Sequence, residues 1–146
     1  MRLAKKLLIL FVALACGCAT GPEFAEIQSE IPSIETGQGR VFIYRPQLSF
    51  LYVGSVSLNG EEVRVPPAGG FVFVDRTPGE YEVVVDSVTV ESATFQLEAD
   101  EEKFIRITVD AGGYFLYTIS PQLTERETAL EQLQELNYIG PSKNEK

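Results

Sequence analysis

Between Arg40 and Ser120 the chain alternates apolar and polar residues with period two, and turn-forming residues interrupt it at short intervals. Val41-Phe42-Ile43-Tyr44 is a β-branched and aromatic run that stops at Arg45-Pro46. Val53 to Leu58 sets Val56 and Leu58 against Ser55 and Ser57, and Val63 and Val65 resume the alternation after Asn59-Gly60. Asn-Gly between two such runs predicts a hairpin, because a type I′ turn needs positive φ at both central residues. Pro66-Pro67-Ala68-Gly69-Gly70 is a second break, and Phe71 to Val74 the next strand. Thr77-Pro78-Gly79-Glu80 predicts a turn in which proline presets φ and glycine supplies a positive one. Tyr81, Val83 and Val85 then alternate with Glu82 and Asp86. Val88 to Leu97, Ile105 to Val109 and Tyr114 to Ile119 complete the series, separated by Ala99-Asp100-Glu101-Glu102-Lys103 and Ala111-Gly112-Gly113. Seven or eight short strands at this spacing predict an all-β fold, an antiparallel Ig- or transthyretin-like sandwich with one wet face per sheet. Phe42, Tyr44, Phe71, Phe73, Phe95, Phe104 and Phe115 read as its core.

Both flanks carry a helical period. Phe24, Ile27, Ile31 and Ile34 recur at spacings of three and four, which predicts a short helix ended by Pro32, with this face docked on the domain. As a flexible chain the same twenty-residue stretch would reach on the order of 25 Å. Thr124-x-x-Glu127 reads as a capping box. It precedes a narrow stripe of Ala129, Leu130, Leu133 and Leu136, with Asn137 to Pro141 ending the helix. This helix is expected to pack on the sandwich.

The first eighteen residues, MRLAKKLLILFVALACGC, have a different pattern. Arg2, Lys5 and Lys6 form a basic start, Leu7 to Ala15 an apolar run, and small residues with cysteine an exit. These are the parts of a secretory signal peptide. About nine apolar residues are too few to span a bilayer, which takes roughly twenty. The cysteine exit makes the segment similar to bacterial lipoprotein signals, whose cysteine is acylated and becomes the first residue of the mature chain. An uncleaved anchor and an ordinary secretory signal are the alternatives. Cys18, preceded by Gly17, is the expected lipidation site, with Cys16 as the alternative. Neither following residue, Ala19 or Gly17, is aspartate, which by resemblance points to the periplasmic face of the outer membrane. More than one acyl chain makes a stable anchor. With Cys16 removed and Cys18 acylated, no disulfide can form.

Composition narrows the chemistry. The 146-residue chain has no histidine and no tryptophan, and a net charge of −9. Removal of Arg2, Lys5 and Lys6 with the leader makes it more acidic still, which argues against nucleic-acid partners and against docking through basic clusters. Without histidine there is no His-based triad and little scope for zinc. No serine sits in G-x-S-x-G. Glu98, Asp100, Glu101 and Glu102 do not have EF-hand spacing and read as a solvated hairpin tip. No metal or cofactor is expected. Leu48-Ser49-Phe50-Leu51-Tyr52-Val53 is apolar without clear alternation. It reads either as an edge strand or loop over the core or as an exposed contact patch, with Leu48, Phe50, Leu51 and Tyr52 as candidate binding residues.

Gly39-Arg40-Val41-Phe42-Ile43-Tyr44-Arg45-Pro46 is similar to the opening signature of the predicted lipoproteins of domain-of-unknown-function 2846. The likeness continues through Val56-Ser57-Leu58-Asn59-Gly60-Glu61, Gly70-Phe71-Val72-Phe73-Val74-Asp75 and Pro78-Gly79-Glu80-Tyr81, in order, over roughly residues 37–120. The Asn-Gly and Pro-Gly-Glu-Tyr pieces also resemble PEGA-type envelope domains, which are small β-sandwiches. The resemblance implies a lipid-anchored envelope module and carries no catalytic residues with it.

The expected organisation is a signal peptide at 1–17, a lipidated cysteine and tether at 18–38, a β-sandwich at 39–120 and a C-terminal helix and tail at 121–146. The expected function is a non-enzymatic binding or scaffold module. It would sit in the bacterial outer membrane through its lipid, facing the periplasm beside an envelope protein partner. Glycan binding through exposed Tyr52, Tyr114, Tyr117 or Tyr138 is the alternative, and a hydrolase built on acidic residues the third reading.

Overall fold

A computed structural model describes residues 21–46, 52–111 and 117–140. They form an all-β sandwich of two sheets. The strands are β1 (Gly39–Arg45), β2 (Ser55–Leu58), β3 (Glu61–Val63), β4 (Gly70–Arg76), β5 (Gly79–Asp86), β6 (Val90–Leu97), β7 (Glu102–Ala111), β8 (Tyr117–Thr124) and the two-residue β9 (Asn137–Tyr138). Helices α1 (Phe24–Ile27) and α2 (Arg126–Leu133) flank them. One sheet has the order β8-β7-β1-β4-β9, the other β3-β2-β5-β6.

Pairing is not antiparallel throughout. β1 runs parallel to β7, with Phe42 beside Phe104, and β9 runs parallel to β4. Parallel neighbours need a long crossover, and here the whole second sheet lies between β1 and β7 in sequence. No local turn signal records such a pairing.

Period-two alternation explains the core between the sheets. Val41 and Ile43 of β1 point inward with Val72, Val74, Ile105 and Ile107, against Val56, Leu58, Val83, Val85 and Leu97 of the other sheet. The intervening Phe42, Tyr44, Phe71 and Phe104 point the other way and are buried too. They meet Phe24 from α1 and Ala129, Leu133 and Leu136 from the α2 region. The five-stranded sheet is therefore covered on both faces, which corrects the expectation of a wet face there. The four-stranded sheet keeps its wet face, with Glu80, Glu82, Asp86, Ser92 and Thr94 exposed. A strand buried on both sides reads as a continuous apolar run, and every residue of β1 is buried.

Aromatic rings hold this second layer. Phe42 stacks on Phe104 with ring centroids 5.1 Å apart. Phe24 stands edge-on to Phe71 at 5.5 Å, and Phe73 stacks on Tyr138 at 5.3 Å. Such pairs add about 0.5–1.5 kcal/mol beyond area burial. The docking expected for the Phe24 face is thus observed: Ile27 and Ile31 pack at its margin.

Local details agree in part with the turn chemistry. Asn59 and Gly60 have φ of 48° and 79°, as a type I′ hairpin demands. Gly79 supplies the predicted positive φ, at 157°, a value that L side chains rarely adopt, and it already belongs to β5, where it pairs with Leu97. The predicted Thr124 capping box is absent. β8 continues through Thr124, opposite Phe104, and Glu125 takes the N-cap place without a side-chain cap. The ladder holds the Thr124 backbone, so it cannot also start the helix. The helix ends at Leu133, and Asn137 and Tyr138 become β9 beside Gly70 and Phe71.

Connectivity polarises the sandwich. At one end, here called the distal end, lie the β2–β3 turn, the two-residue β4–β5 link at Thr77 and Pro78, and residues 98–101 between β6 and β7. Leu97 abuts Gly39 at this end. The opposite end gathers the C-terminal ends of β1, β3, β5 and β7. Gly70, opposite Arg45, and its neighbour Asn137 also lie there.

Candidate functional site

The N-terminal segment is clasped onto the five-stranded sheet by a buried cation. Arg40 is 3% exposed. Its Nε and Nη2 donate to the two carboxylate oxygens of Asp75 at 2.6 and 2.7 Å. Its Nη1 donates to the Pro32 carbonyl at 2.7 Å, and its guanidinium lies 4.5 Å from the Phe73 ring centroid. Arg40 and Asp75 are register partners on β1 and β4, so the sheet itself aligns this bidentate fork, a geometry arginine alone among side chains provides. Both residues belong to the family-like motifs. Their pairing is invisible in the sequence because it depends on which strands are neighbours.

The entry of the chain is held as firmly. The Asn137 side-chain amide donates to the Gly21 carbonyl at 2.7 Å. The Tyr138 N–H donates to Pro22 O, and the Phe24 N–H to Leu136 O, both at 2.9 Å. A side chain at position 21 would run into the Tyr138 carbonyl, so the close approach requires glycine there.

A recess of about 610 Å³ opens beside Gly21, among Arg64, Pro67, Tyr138 and Gly140, and two more border the helical part of this segment. One of about 240 Å³ lies among Gln28, Pro32, Arg40, Glu102, Arg126 and Leu130. Its charges are engaged with one another: Arg126 bonds Glu102, and Arg40 bonds Asp75. The other, of about 450 Å³, is mainly apolar, lined by Pro22, Ile27, Ile31, Pro32, Phe73 and Tyr138.

Beneath α2 the Tyr44 hydroxyl donates to Gln132 Oε1 at 2.7 Å. Burial raises its pKa, with the Thr124 hydroxyl and the Arg106 charge opposing the shift. Arg45 is buried at the end of β1, where desolvation lowers its pKa. At the distal end burial would raise Glu101, but Lys103 at 2.7 Å and the Glu98 N–H hold its carboxyl below the usual range. Among the described residues, no three Asp, Glu, His or Cys side chains lie close enough to share a metal ion.

Of the candidate residues, Cys18, Cys16, Leu48, Phe50 and Leu51 lie outside the described residues. Tyr52 is 82% exposed, while its neighbour Val53 is buried in the core. Among the described residues the other exposed large apolar side chains are Val88 at 83%, Val90 at 68%, Leu123 at 46% and Tyr117 at 44%; Tyr117 is one of the tyrosines the sequence singled out, and the other three are not. Tyr52, Val88, Val90 and Tyr117 lie at the end opposite the acidic turns, whereas Leu123, opposite Ile105, lies towards the acidic end. Alternation around Val88 gave no warning of this, since an exposed valine at a strand start has the same pattern as a buried one. Among the tyrosines proposed for glycan binding, Tyr52 and Tyr117 are exposed, Tyr138 is stacked on Phe73, and Tyr114 lies outside the described residues. The apolar stripe of α2 is spent on packing, so that helix offers a partner only its polar side.

Comparison with protein-family models, curated proteins and solved structures finds no match to this chain.

Proposed function

We propose that this chain is a lipid-anchored protein of the bacterial cell envelope, similar to the lipoproteins of domain-of-unknown-function 2846. In this reading it acts without catalysis as a binding or scaffold module on the periplasmic face of the outer membrane. The observation that carries the reading is the leader, in which three basic residues precede a short apolar run ending at Cys16-Gly17-Cys18. The folded part supports it. The pairs Arg40–Asp75, Arg76–Glu61 and Arg126–Glu102 join neighbouring elements of the fold, a use that suits a display platform. The test is metabolic acyl labelling of cells expressing the full chain. Cys18→Ser should abolish labelling and leave the precursor unprocessed, whereas Cys16→Ser should retain it. Labelling lost only in Cys16→Ser moves the lipid to Cys16, and a parent chain that never labels overturns the reading. Crosslinking in the same cells, read by mass spectrometry, should then capture one dominant envelope protein.

A further inference from the structure

We propose that the sandwich end bearing Tyr52, Val88, Val90 and Tyr117 rests on the lipid bilayer, so that the domain stands on the membrane in a fixed orientation. The proposal builds on the acylation of Cys18.

Four of the five exposed large apolar side chains among the described residues share one end, Leu123 being the exception. Gly54 donates its N–H to the Asp86 carbonyl, which places Tyr52 beside the β5–β6 turn that carries Val88 and leads into Val90. Tyr117 opens β8 opposite Ala111. Because Tyr44 pairs with Arg106, the β7–β8 ladder continues roughly 15 Å past the end of β1 in the same direction. Asp86, opposite Val90, and Asp110, next to the partner of Tyr117, are the exposed carboxylates beside these residues.

The chain enters at this same end. β9 places Asn137 beside Gly70, and Asn137 holds the Gly21 carbonyl. Only Ala19 and Thr20 separate Gly21 from Cys18. A fully extended chain covers at most about 3.6 Å per residue, so Gly21 lies within about 11 Å of the acylated residue. The expected 25 Å leash is thereby replaced by a clamp, since residues 21–34 are packed on the domain. Amphipathic surfaces at membranes settle about 5–10 Å into the headgroup boundary, a depth that this short link permits.

Charge points the domain the same way. The distal turns carry Glu61, Glu80, Glu98, Asp100 and Glu101, of which Glu61 is paired with Arg76 and Glu101 with Lys103, leaving the end acidic through Glu80, Glu98 and Asp100. Anionic lipid repels such an end, so the apolar end faces the bilayer and the acidic end faces away. A protein partner then has the distal turns and the polar face of the four-stranded sheet.

The experiment uses the full lipidated chain with Cys16→Ser, which leaves the acylated Cys18 as its sole cysteine. Single cysteines introduced as Val88→Cys, Tyr117→Cys or, as the distal control, Glu80→Cys are labelled with the fluorophore NBD. The proteins are reconstituted into protein-free phosphatidylethanolamine/phosphatidylglycerol vesicles. Flotation with the vesicles reports anchoring. The expected result is blue-shifted emission and loss of dithionite quenching at positions 88 and 117, with full quenching at 80. Failure to float overturns the anchoring and this placement with it. Flotation with equal quenching at all three positions overturns the placement alone. Protection at 88 and 117 in native envelopes but not in vesicles assigns the end to a protein and likewise overturns it.

Discussion

Replacing Arg40 with methionine keeps most of the aliphatic stem and removes the charge and every donor. The loss follows from the geometry. Two charge-assisted hydrogen bonds to Asp75 and one to Pro32 disappear, and hydrogen bonds to charged groups contribute about 1.5–3 kcal/mol each. Their sum overstates the effect, because Asp75 is 19% exposed and regains some hydration. Removing one partner of a buried pair costs about 3–5 kcal/mol when the other stays dry, so about 3 kcal/mol is expected here. For a domain of this size that lowers Tm by about 10 °C. The assay is urea unfolding of the Cys18→Ser chain followed by circular dichroism. Asp75→Asn and the Arg40→Met/Asp75→Asn double variant complete a cycle. Removing both charges leaves neither uncompensated, so the double variant should be more stable than the two single losses predict, by about 1–3 kcal/mol. The difference should persist in high salt, since buried pairs are weakly screened. Hydrogen exchange should accelerate in residues 28–34, which lose their bond to Arg40. An Arg40→Met variant within about 0.5 kcal/mol of the parent, the range of ordinary surface substitutions, would refute the clasp. Strict additivity in the cycle would refute the pairing.

Three further outcomes follow from the same structure. Phe24→Ala, which empties the centre of the outer aromatic layer, should cost about 3–5 kcal/mol in urea unfolding, and an effect near zero would mean that the N-terminal segment is not docked. Asn59→Ala should cost about 1–2 kcal/mol, because Asn59 has positive φ and its side chain accepts from the Glu82 N–H and donates to Glu80 O; Asn59→Gly should recover the backbone part alone. Tyr44, raised by burial, should ionise above the ordinary tyrosine value in an ultraviolet pH titration. Above the unfolded tyrosine value near 10 the unfolded chain loses this proton first, so the Tyr44 contribution is whole below that pH and is lost as pH rises through the folded pKa. Tyr44→Phe should flatten that alkaline decline, and an unchanged decline would exclude Tyr44 as its source.

Strand existence was legible in the chain because period-two alternation is a local consequence of the pleat. The Asn59-Gly60 turn was legible for a similar reason: two consecutive positive φ values restrict the residue types in a window of two. The both-faced burial of β1 was latent in Val41-Phe42-Ile43-Tyr44, where no residue is polar, but the partner covering the second face lies far away in Phe24, Ala129 and Leu133.

Tertiary structure alone decided the rest. Which strands became neighbours set β1 parallel to β7 and brought Arg40 opposite Asp75. The same adjacency carried β8 through Thr124 and abolished the helix cap expected there. It also turned the stretch after Gly21 from a leash into a clamped layer, and it collected Tyr52, Val88, Val90 and Tyr117 at the end where the chain enters. Local sequence sets the conformation of a segment through sterics and hydrogen bonds a few residues long. Adjacency is set by how two sheets and their flanks together bury apolar surface, and that sum runs over residues about a hundred positions apart.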